Sequence, residues 1–562
     1  MAAARELQLY IREKTGASLP LRVAGNMRAT PEHPVIFVGE SPATSSLGYR
    51  SAAFKFEEFI IDIAPERIIL MGRDDPQADP FTCSRKYFLK EAGTMLAVYT
   101  FLRDWLDIRW YFPGPLGESV PRQESISLQP AGKRMRPEFS PRETLLCCGP
   151  QPDVDDEDFQ QWARRSRHGG FLLSLGHSFG SVVSPKFIQQ HPEYFAADDQ
   201  GNRKLPAAGA KYVQLCLSRP GLVTVFADAA KKYFAADRSH IAFTVMPGDA
   251  LNQETCCKCP QCKVQYDFKS SLPAQMQLSR YVWGFVNRVA AAVKDAYPDR
   301  MILCCAYGNY RYPYPGMHFE PNVATAVTVN KAGFGYRVGD TMKDAGRWLG
   351  LVRNIYIDEN YHSGVLGLKG TYVSVPEVCP HRIAAEISTR RGKVLGQPYD
   401  IEFIPAHVNP RTGKRQKVYR EWLWDNLNLY VSAELDFDAS QDVDVLIDRY
   451  CRDLYGPAAE EVKKIYAKLE QRWDEAPGML GIAGYNQLVR RRDYRERLHE
   501  IFWGRVYPPA FIEELLSMVK QAKLRAGKER GPLYLKRLEL LEQGIVLMRE
   551  KSRALPGAGR QG

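Results

Sequence analysis

Between about residues 140 and 430, short apolar runs alternate with amphipathic stretches, and this alternation limits the fold more than any other feature of the chain. Eight runs read as strands: Thr144 to Cys148, Phe171 to Leu175, Tyr212 to Leu217, Ile241 to Met246, Met301 to Ala306, Val323 to Val329, Asn354 to Ile357 and Val394 to Phe403, the last with the weakest pattern. Helical patterns separate many of them, most clearly from Gln275 to Ala296. Continuously apolar strands bury both faces, which is the signature of a parallel sheet covered by helices. Eight such units predict a (β/α)8 TIM-like barrel over 140–435. An open doubly wound sheet is the alternative, but no glycine-rich phosphate loop follows the first strand.

The flanking regions differ. Residues 1–130 alternate helix and strand, giving a small α/β domain with strands at 35–38, 59–63 and 67–71. Leu96, Val98, Tyr99, Phe101, Leu102, Trp105 and Leu106 form a wide apolar helical face, ended by Pro113-Gly114-Pro115. Residues 122–140 read as a polar, proline-bearing linker. Residues 436–562 carry helical patterns and follow Trp422-Leu423-Trp424 without a flexible joint, so this region is predicted to pack on the barrel. The formal charge is +11, with clusters at Arg490–Arg492 and between Lys520 and Arg530. A solvated helical face or attraction to an acidic polysaccharide explains this better than a nucleic-acid surface. No apolar run approaches the roughly 20 residues that span a bilayer, so no membrane partner is expected. Met1 runs directly into a helix with no signal-peptide pattern. The compartment and the oligomeric state stay open.

Barrel enzymes keep their chemistry at the carboxyl ends of the strands. The polar residues there are His177 after the second strand, Asp249 and Asn252 after the fourth, Tyr307, Asn309 and Tyr310 after the fifth, Asp358, Glu359 and Tyr361 after the seventh, and Glu402 in the eighth. Carboxylates and aromatics together suit sugars, whose apolar ring faces stack while hydroxyls are hydrogen-bonded. Glycoside hydrolysis needs two carboxyl groups flanking the bond, one protonated and one ionised. The placements of Asp249, after the Pro247-Gly248 turn, and of Glu359 resemble those of the acid/base and of the nucleophile in retaining barrel glycosidases, which implies acid/base work for Asp249 and a nucleophilic or water-activating role for Glu359. Glu402 is the rival for the second role. His177, Asn252, Tyr307, Asn309, Tyr310, Asp358, Tyr361 and Glu402 are expected to bind substrate. The plainer reading of an isolated member is a loop carboxylate, a capping amide or a hydrogen-bonded histidine. The arginines of Trp162-Ala163-Arg164-Arg165-Ser166-Arg167-His168 could meet a substrate carboxylate, but a solvated helix face is the favoured reading.

In the run Cys256-Cys257-Lys258-Cys259-Pro260-Gln261-Cys262, Cys259 and Cys262 have C-x-x-C spacing, and Cys256 adds a third thiol at the same spacing from Cys259. A four-thiolate zinc site usually takes two separate such pairs, and the chain has no second C-x-x-C apart from this run. Reduced structural thiols that shape the loop after Asp249 are therefore expected, with a local disulfide or zinc as alternatives. No cofactor and no metal is expected. Cys147, Cys148, Cys216, Cys304 and Cys305 lie in apolar runs and read as small core residues.

Several segments resemble known families. Residues 93–121 and the opening Ala2 to Ile11 with Thr15-Gly16 and Leu19-Pro20 resemble the small domain that precedes the barrel in α-glucuronidases and β-hexosaminidases. A strand normally precedes that opening helix, so the resemblance implies a missing N-terminal piece. Gly176-His177-Ser178-Phe179, His191-Pro192-Glu193-Tyr194-Phe195, Met246-Pro247-Gly248-Asp249, Cys259-Pro260-Gln261-Cys262 and Tyr455-Gly456-Pro457-Ala458-Ala459 resemble a bacterial barrel family of unknown function with an α-glucuronidase-type N-terminal domain. The resemblance implies a glycoside-hydrolase fold and carbohydrate metabolism. β-Hexosaminidases carry an adjacent Asp-Glu pair after strand four, where Asp249 is here followed by Ala250. The expected function is hydrolysis of a poly- or oligosaccharide, acidic sugars among the candidates. The alternative is a non-catalytic carbohydrate-binding protein on a degenerate barrel.

Overall fold

The structure is a computed structural model. It describes residues 1–562 except 24, 26–28, 76–89, 143, 147–156, 184–185, 206–212, 330–337, 360–374, 402–423, 489–492, 528–531 and 554–562. The first region builds a four-stranded sheet from β1 (Val35–Val38), β2 (Phe59–Ala64) and β3 (Arg67–Gly72), with β4 (Arg109–Trp110) and β5 (Glu118–Ser119) pairing separately. The fourth strand is β6 (Ala131–Met135), so part of the expected linker instead lines the antiparallel edge of β2. Strand alternation divides β2 between two faces. Phe59, Ile61 and Ile63 face the main core, under the helices Ala2–Thr15 and Gly93–Asp104, while Ile60 joins Phe37, Phe54, Ile69 and Met71 on the other side.

The second sheet is wholly parallel. It contains β7 (Thr144–Leu146), β8 (Ala242–Thr244), β9 (Met301–Ala306), β10 (Val323–Val329), β11 (Asn354–Glu359) and β12 (Tyr399–Ile401), in the order β7-β12-β11-β10-β9-β8. Every residue of β9 and β10 is buried, which is why these strands read as unbroken apolar runs. The helices Pro220–Ala236 and Ser279–Val293 pack on each other, the second also against β9.

Two of the eight expected strands form no ladder among the described residues. In 171–175 the extended run is interrupted: Gly169, Gly170, Ser174 and Gly176 all have positive φ. The segment still spans the open side of the sheet. Arg142, two residues before β7, bridges Gly169, and the Thr244 hydroxyl at the end of β8 donates to the carbonyls of Leu173 and Ser174. In 212–217 Leu215 makes only a single bridge, to Phe195.

The helical region from Asp425 onward shares one apolar core with both sheets. Asn428 accepts from the Cys379 amide at 3.0 Å, and the Tyr507 hydroxyl donates to the Pro376 carbonyl at 2.6 Å. Buried arginines stitch the regions together. Arg142 makes a two-pronged pair with Glu57, both contacts at 2.8 Å, and also donates to the carbonyls of Phe139 and Arg167. Arg537 donates to the carbonyls of Leu116, Glu118, Asp453 and Leu454. The segment expected to be a solvated basic face belongs to this set. Arg165 pairs with Glu6 and Glu118, and Arg167 is buried against Glu434 and the Phe437 ring. Arg142, Arg165 and Arg167 each have a carboxylate from another region and Arg537 has four carbonyls, so burying them is compensated.

Removing one partner of a buried pair leaves the other charge unpaired. Glu57→Gln should therefore lower the free energy of unfolding by about 3–5 kcal/mol, measured from the denaturant midpoint. A loss below about 1 kcal/mol would mean that the pair contributes no more than an exposed one.

Two histidines predict the pH dependence of stability. Burial holds His168 down at about 4, its Nδ1–H given to the Arg142 carbonyl. The unfolded chain takes that proton near 6.5, so stability falls as pH drops from there toward 4, by on the order of 3 kcal/mol. The opposite sign holds for His381, raised to about 9 first by its hydrogen bond to Glu470 and further by Asp444. Its contribution is complete below about 6.5 and disappears as pH rises through 9. Melting curves across this range should lose the acid limb in His168→Gln and part of the alkaline limb in His381→Gln. Unchanged limbs would reject both assignments.

Candidate active site at the carboxyl ends of the parallel strands

Four adjacent strands, β8 to β11, deliver polar residues to one end of the parallel sheet. After β8 the chain runs through Val245 and Met246 into the Pro247-Gly248 turn. Gly248 is required there by close approach: a Cβ would lie 2.7 Å from the Val213 carbonyl oxygen and 2.9 Å from its nitrogen. The Gln214 amide then donates to the carbonyls of Gly248 and Asp249, at 2.8 and 3.1 Å. Ala250 follows with φ of 60°, a backbone conformation an alanine rarely adopts. The turn is therefore fixed on both sides, and it presents Asp249 with a side chain 41% exposed.

Three groups converge on Asp249 Oδ1. The Ala250 amide donates to it at 2.8 Å, the Tyr307 hydroxyl lies at 3.5 Å, and His177 Nε2 at 3.7 Å. His177 Nδ1 sits 2.6 Å from the Pro247 carbonyl, which can only accept, so Nδ1 carries a hydrogen and Nε2 faces the carboxylate. The Met246 carbonyl, between the amides of Ser178 and Phe179, ties the His177 loop to the same turn. A cleft of about 330 Å³ opens beside Asp249, lined also by Tyr307, Tyr310, Arg311 and Thr328. That is the lower end of the size range for small-ligand pockets.

The far side of this end is set by register. Thr328 of β10 stands opposite Asp358 of β11, and its hydroxyl donates to Asp358 Oδ2 at 2.9 Å. Cys305 of β9 lies beside them; burial, and then the charge of Asp358, push its thiol up. Arg311 donates to the Thr328 carbonyl and lies 3.5 Å from Asp344. Tyr310 is buried at the cleft floor, and burial first, then neighbouring thiols and Asp249, push its phenol well up, which keeps it neutral.

The sequence-predicted residues thus divide. His177, Asp249 and Tyr307 are brought together, with Tyr310 beneath them and Asp358 held by Thr328. Asn252 does not join them: its side-chain oxygen accepts from the Glu254 and Thr255 amides, capping the loop. Asn309 lies in a short helical turn whose carbonyl accepts from Leu278. Glu359 ends β11, but its side chain, together with Tyr361 and Glu402, lies outside the described residues. Arg311 and Thr328 were not singled out as binding residues. Thr328 is the last inward-facing polar residue of an apolar strand, which is the signal that could have found it.

The cysteine loop departs from its expected grouping. Cys216, Cys257, Cys259 and Cys262 gather with all four sulfurs within 4.8 Å of one another, and Cys256 is not one of them. Successive side chains diverge: the Cys256 thiol turns to the Gln253 carbonyl, while Cys257 Sγ accepts from the Ala197 amide.

The chain is similar to several solved structures and to one family model. Matching solved structures include a GH138 enzyme targeting pectin rhamnogalacturonan II, 11% identical, with 98% of this chain and 83% of that chain covered at a TM-score of 0.38. Others are a β-N-acetylhexosaminidase from Bacteroides fragilis (13% identity, 79% and 92% covered, TM-score 0.37) and a chitobiase from Flavobacterium johnsoniae (9%, 98% and 88%, TM-score 0.38). Likenesses this distant decide neither substrate nor mechanism. No curated protein matches the chain. A family model described as a domain of unknown function, DUF4838, matches residues 112–468, from the aromatic block that closes the first region into the C-terminal helices, and the chain belongs to that family.

Proposed function

We propose that this protein is a glycoside hydrolase acting on a poly- or oligosaccharide, on a (β/α)8 barrel whose parallel strands aim their carboxyl ends at the substrate. The observation that carries this reading is the convergence of Asp249, His177 and Tyr307 at the carboxyl ends of β8 and β9, with Asp358 at the end of β11, two strands beyond β9. Asp249 is the general acid/base: it is exposed enough to reach a glycosidic oxygen and is oriented through its Oδ1 contacts. The second carboxylate comes from the Asp358–Glu359 pair at the end of β11. Glu359 is the proposed nucleophile or water-activating base, with Asp358 and Glu402 as its rivals. Tyr307 offers a ring face to a sugar, and His177 a hydrogen-bonding edge. Arg311, at the cleft wall, suits a substrate carrying a carboxylate.

Binding without hydrolysis is the second reading. It is favoured by one observation, that Asp249 Oδ1 already accepts from the Ala250 amide, as a structural loop carboxylate would.

A panel of aryl glycosides and neutral and acidic polysaccharides, incubated with the purified chain, separates the two. Asp249→Asn should fold and bind sugar normally but lose roughly 10²- to 10⁴-fold in rate on natural glycosides. Activated aryl glycosides, which need less help at the leaving group, should suffer less. Turnover of a natural substrate near the parent rate would remove Asp249 from the role. Glu359→Gln, Asp358→Asn and Glu402→Gln, assayed in parallel, identify the second group by which one abolishes turnover while sparing binding.

A further inference from the structure

We infer that Cys216, Cys257, Cys259 and Cys262 form a structural zinc site that fixes the loop bearing Asp249. All four side chains are buried. Cys216 lies 3.6 Å from Cys259 and 3.7 Å from Cys262, sulfur to sulfur. A tetrahedron with zinc–sulfur bonds of about 2.3 Å has edges of about 3.8 Å. Two of the six sulfur–sulfur distances thus match a tetrahedral edge, and all six lie within 4.8 Å. A disulfide would instead draw one pair together and leave two thiols over.

The surroundings suit thiolates. The Ala197 amide points at Cys257 Sγ at 3.3 Å, and the Ser218 hydroxyl lies 3.0 Å from Cys262 Sγ. Such hydrogen bonds are the outer contacts that orient metal ligands. Cys259 precedes the turn Pro260–Lys263 and Cys262 lies within it, and the amides of Cys262 and Lys263 both return to the Cys259 carbonyl. That turn holds two sulfurs on one side. Cys257 supplies a third from two residues earlier, and Cys216 the fourth from a distant stretch. Zinc binding to four thiols releases their protons and leaves a site closed to solvent and substrate, which is the structural type.

The consequence is mechanical. The site would join three stretches: Ala197, whose carbonyl also accepts from the Lys258 amide; residues 213–218; and residues 248–262. Gly248 packs on the Val213 backbone and Gln214 holds the Gly248 and Asp249 carbonyls, so the metal would clamp the segment that positions Asp249. The inference does not depend on the hydrolase reading, because its readout is metal content.

The full chain, purified without a metal-affinity tag, should contain about one zinc per molecule by elemental analysis. Cys216→Ser and Cys262→Ser should lose it, whereas Cys256→Ser, which alters a buried thiol outside the cluster, should keep it. If the first two variants do not fold, cobalt(II) replacement in the parent protein serves instead, and should give the intense visible absorption of a tetrahedral thiolate site. A natively folded parent protein with no bound metal and no cobalt spectrum would overturn the proposal. So would disulfides among these four residues in non-reducing mass spectrometry, or loss of zinc on Cys256→Ser alone.

Discussion

The paired burial of Arg142 and Glu57 is the constraint on which the arrangement of the regions depends. Glu57 sits at the entry to β2 with φ of 57°, and Arg142 lies two residues before β7. Neither charge tolerates burial alone. Satisfying both requires the edge of the first sheet and the opening of the parallel sheet to meet at one place. Ser140, which donates to the same Glu57 carboxylate at 2.6 Å, and the Arg142 bridge to Gly169 extend that contact to the segment that spans the gap in the second sheet. A buried ion pair is weak evidence for stability in itself, since a hydrophobic replacement often serves as well. Its contribution here is to geometry: the fork of Arg142 fits one carboxylate in one orientation.

The C-terminal helices follow the same logic. Arg103, from the helix Gly93–Asp104, and Arg167 both pair with Glu434, and Tyr111 donates to Asp453 at 2.6 Å. These polar ties lie inside a continuous apolar core, where low polarity strengthens each of them and makes a missing partner costly. The helical region is therefore one wall of the molecule, tied to residues 138–139 before the parallel sheet and to residues 376–379 after β11.

The parallel sheet was legible in the sequence because burial on both faces removes alternation, and β9 and β10 appear with the predicted limits. The second and third expected strands form no ladder among the described residues. An apolar run such as Phe171-Leu172-Leu173 records burial, not backbone conformation, and positive φ at Ser174 and the flanking glycines cannot be read from hydropathy. Asp249, His177 and Tyr307 were legible because each directly follows an apolar run. The basic segment around Arg165 was misread because its carboxylate partners, Glu6, Glu118 and Glu434, lie far away in sequence. Cys216 was hidden in the same way: the loop carries four cysteines, three of which join the cluster, and only the fold supplies Cys216 as the fourth member.

The two fixed points near the strand ends act on the same few residues. On one side Gln214, Val213 and the sulfur cluster hold the 248–262 segment; on the other, strand register places Asp358 against Thr328. An acid that must hold a proton and a carboxylate that must stay ionised need different surroundings at a fixed separation. Here the carboxylates stand on different kinds of support, a strained loop for Asp249 and a strand ladder for Asp358. A loop held by buried side chains can be rebuilt to suit another substrate without disturbing the ladder. On the hydrolase reading proposed above, this division would leave the sheet to set where chemistry happens and the cysteine-bearing loop to set which substrate meets it.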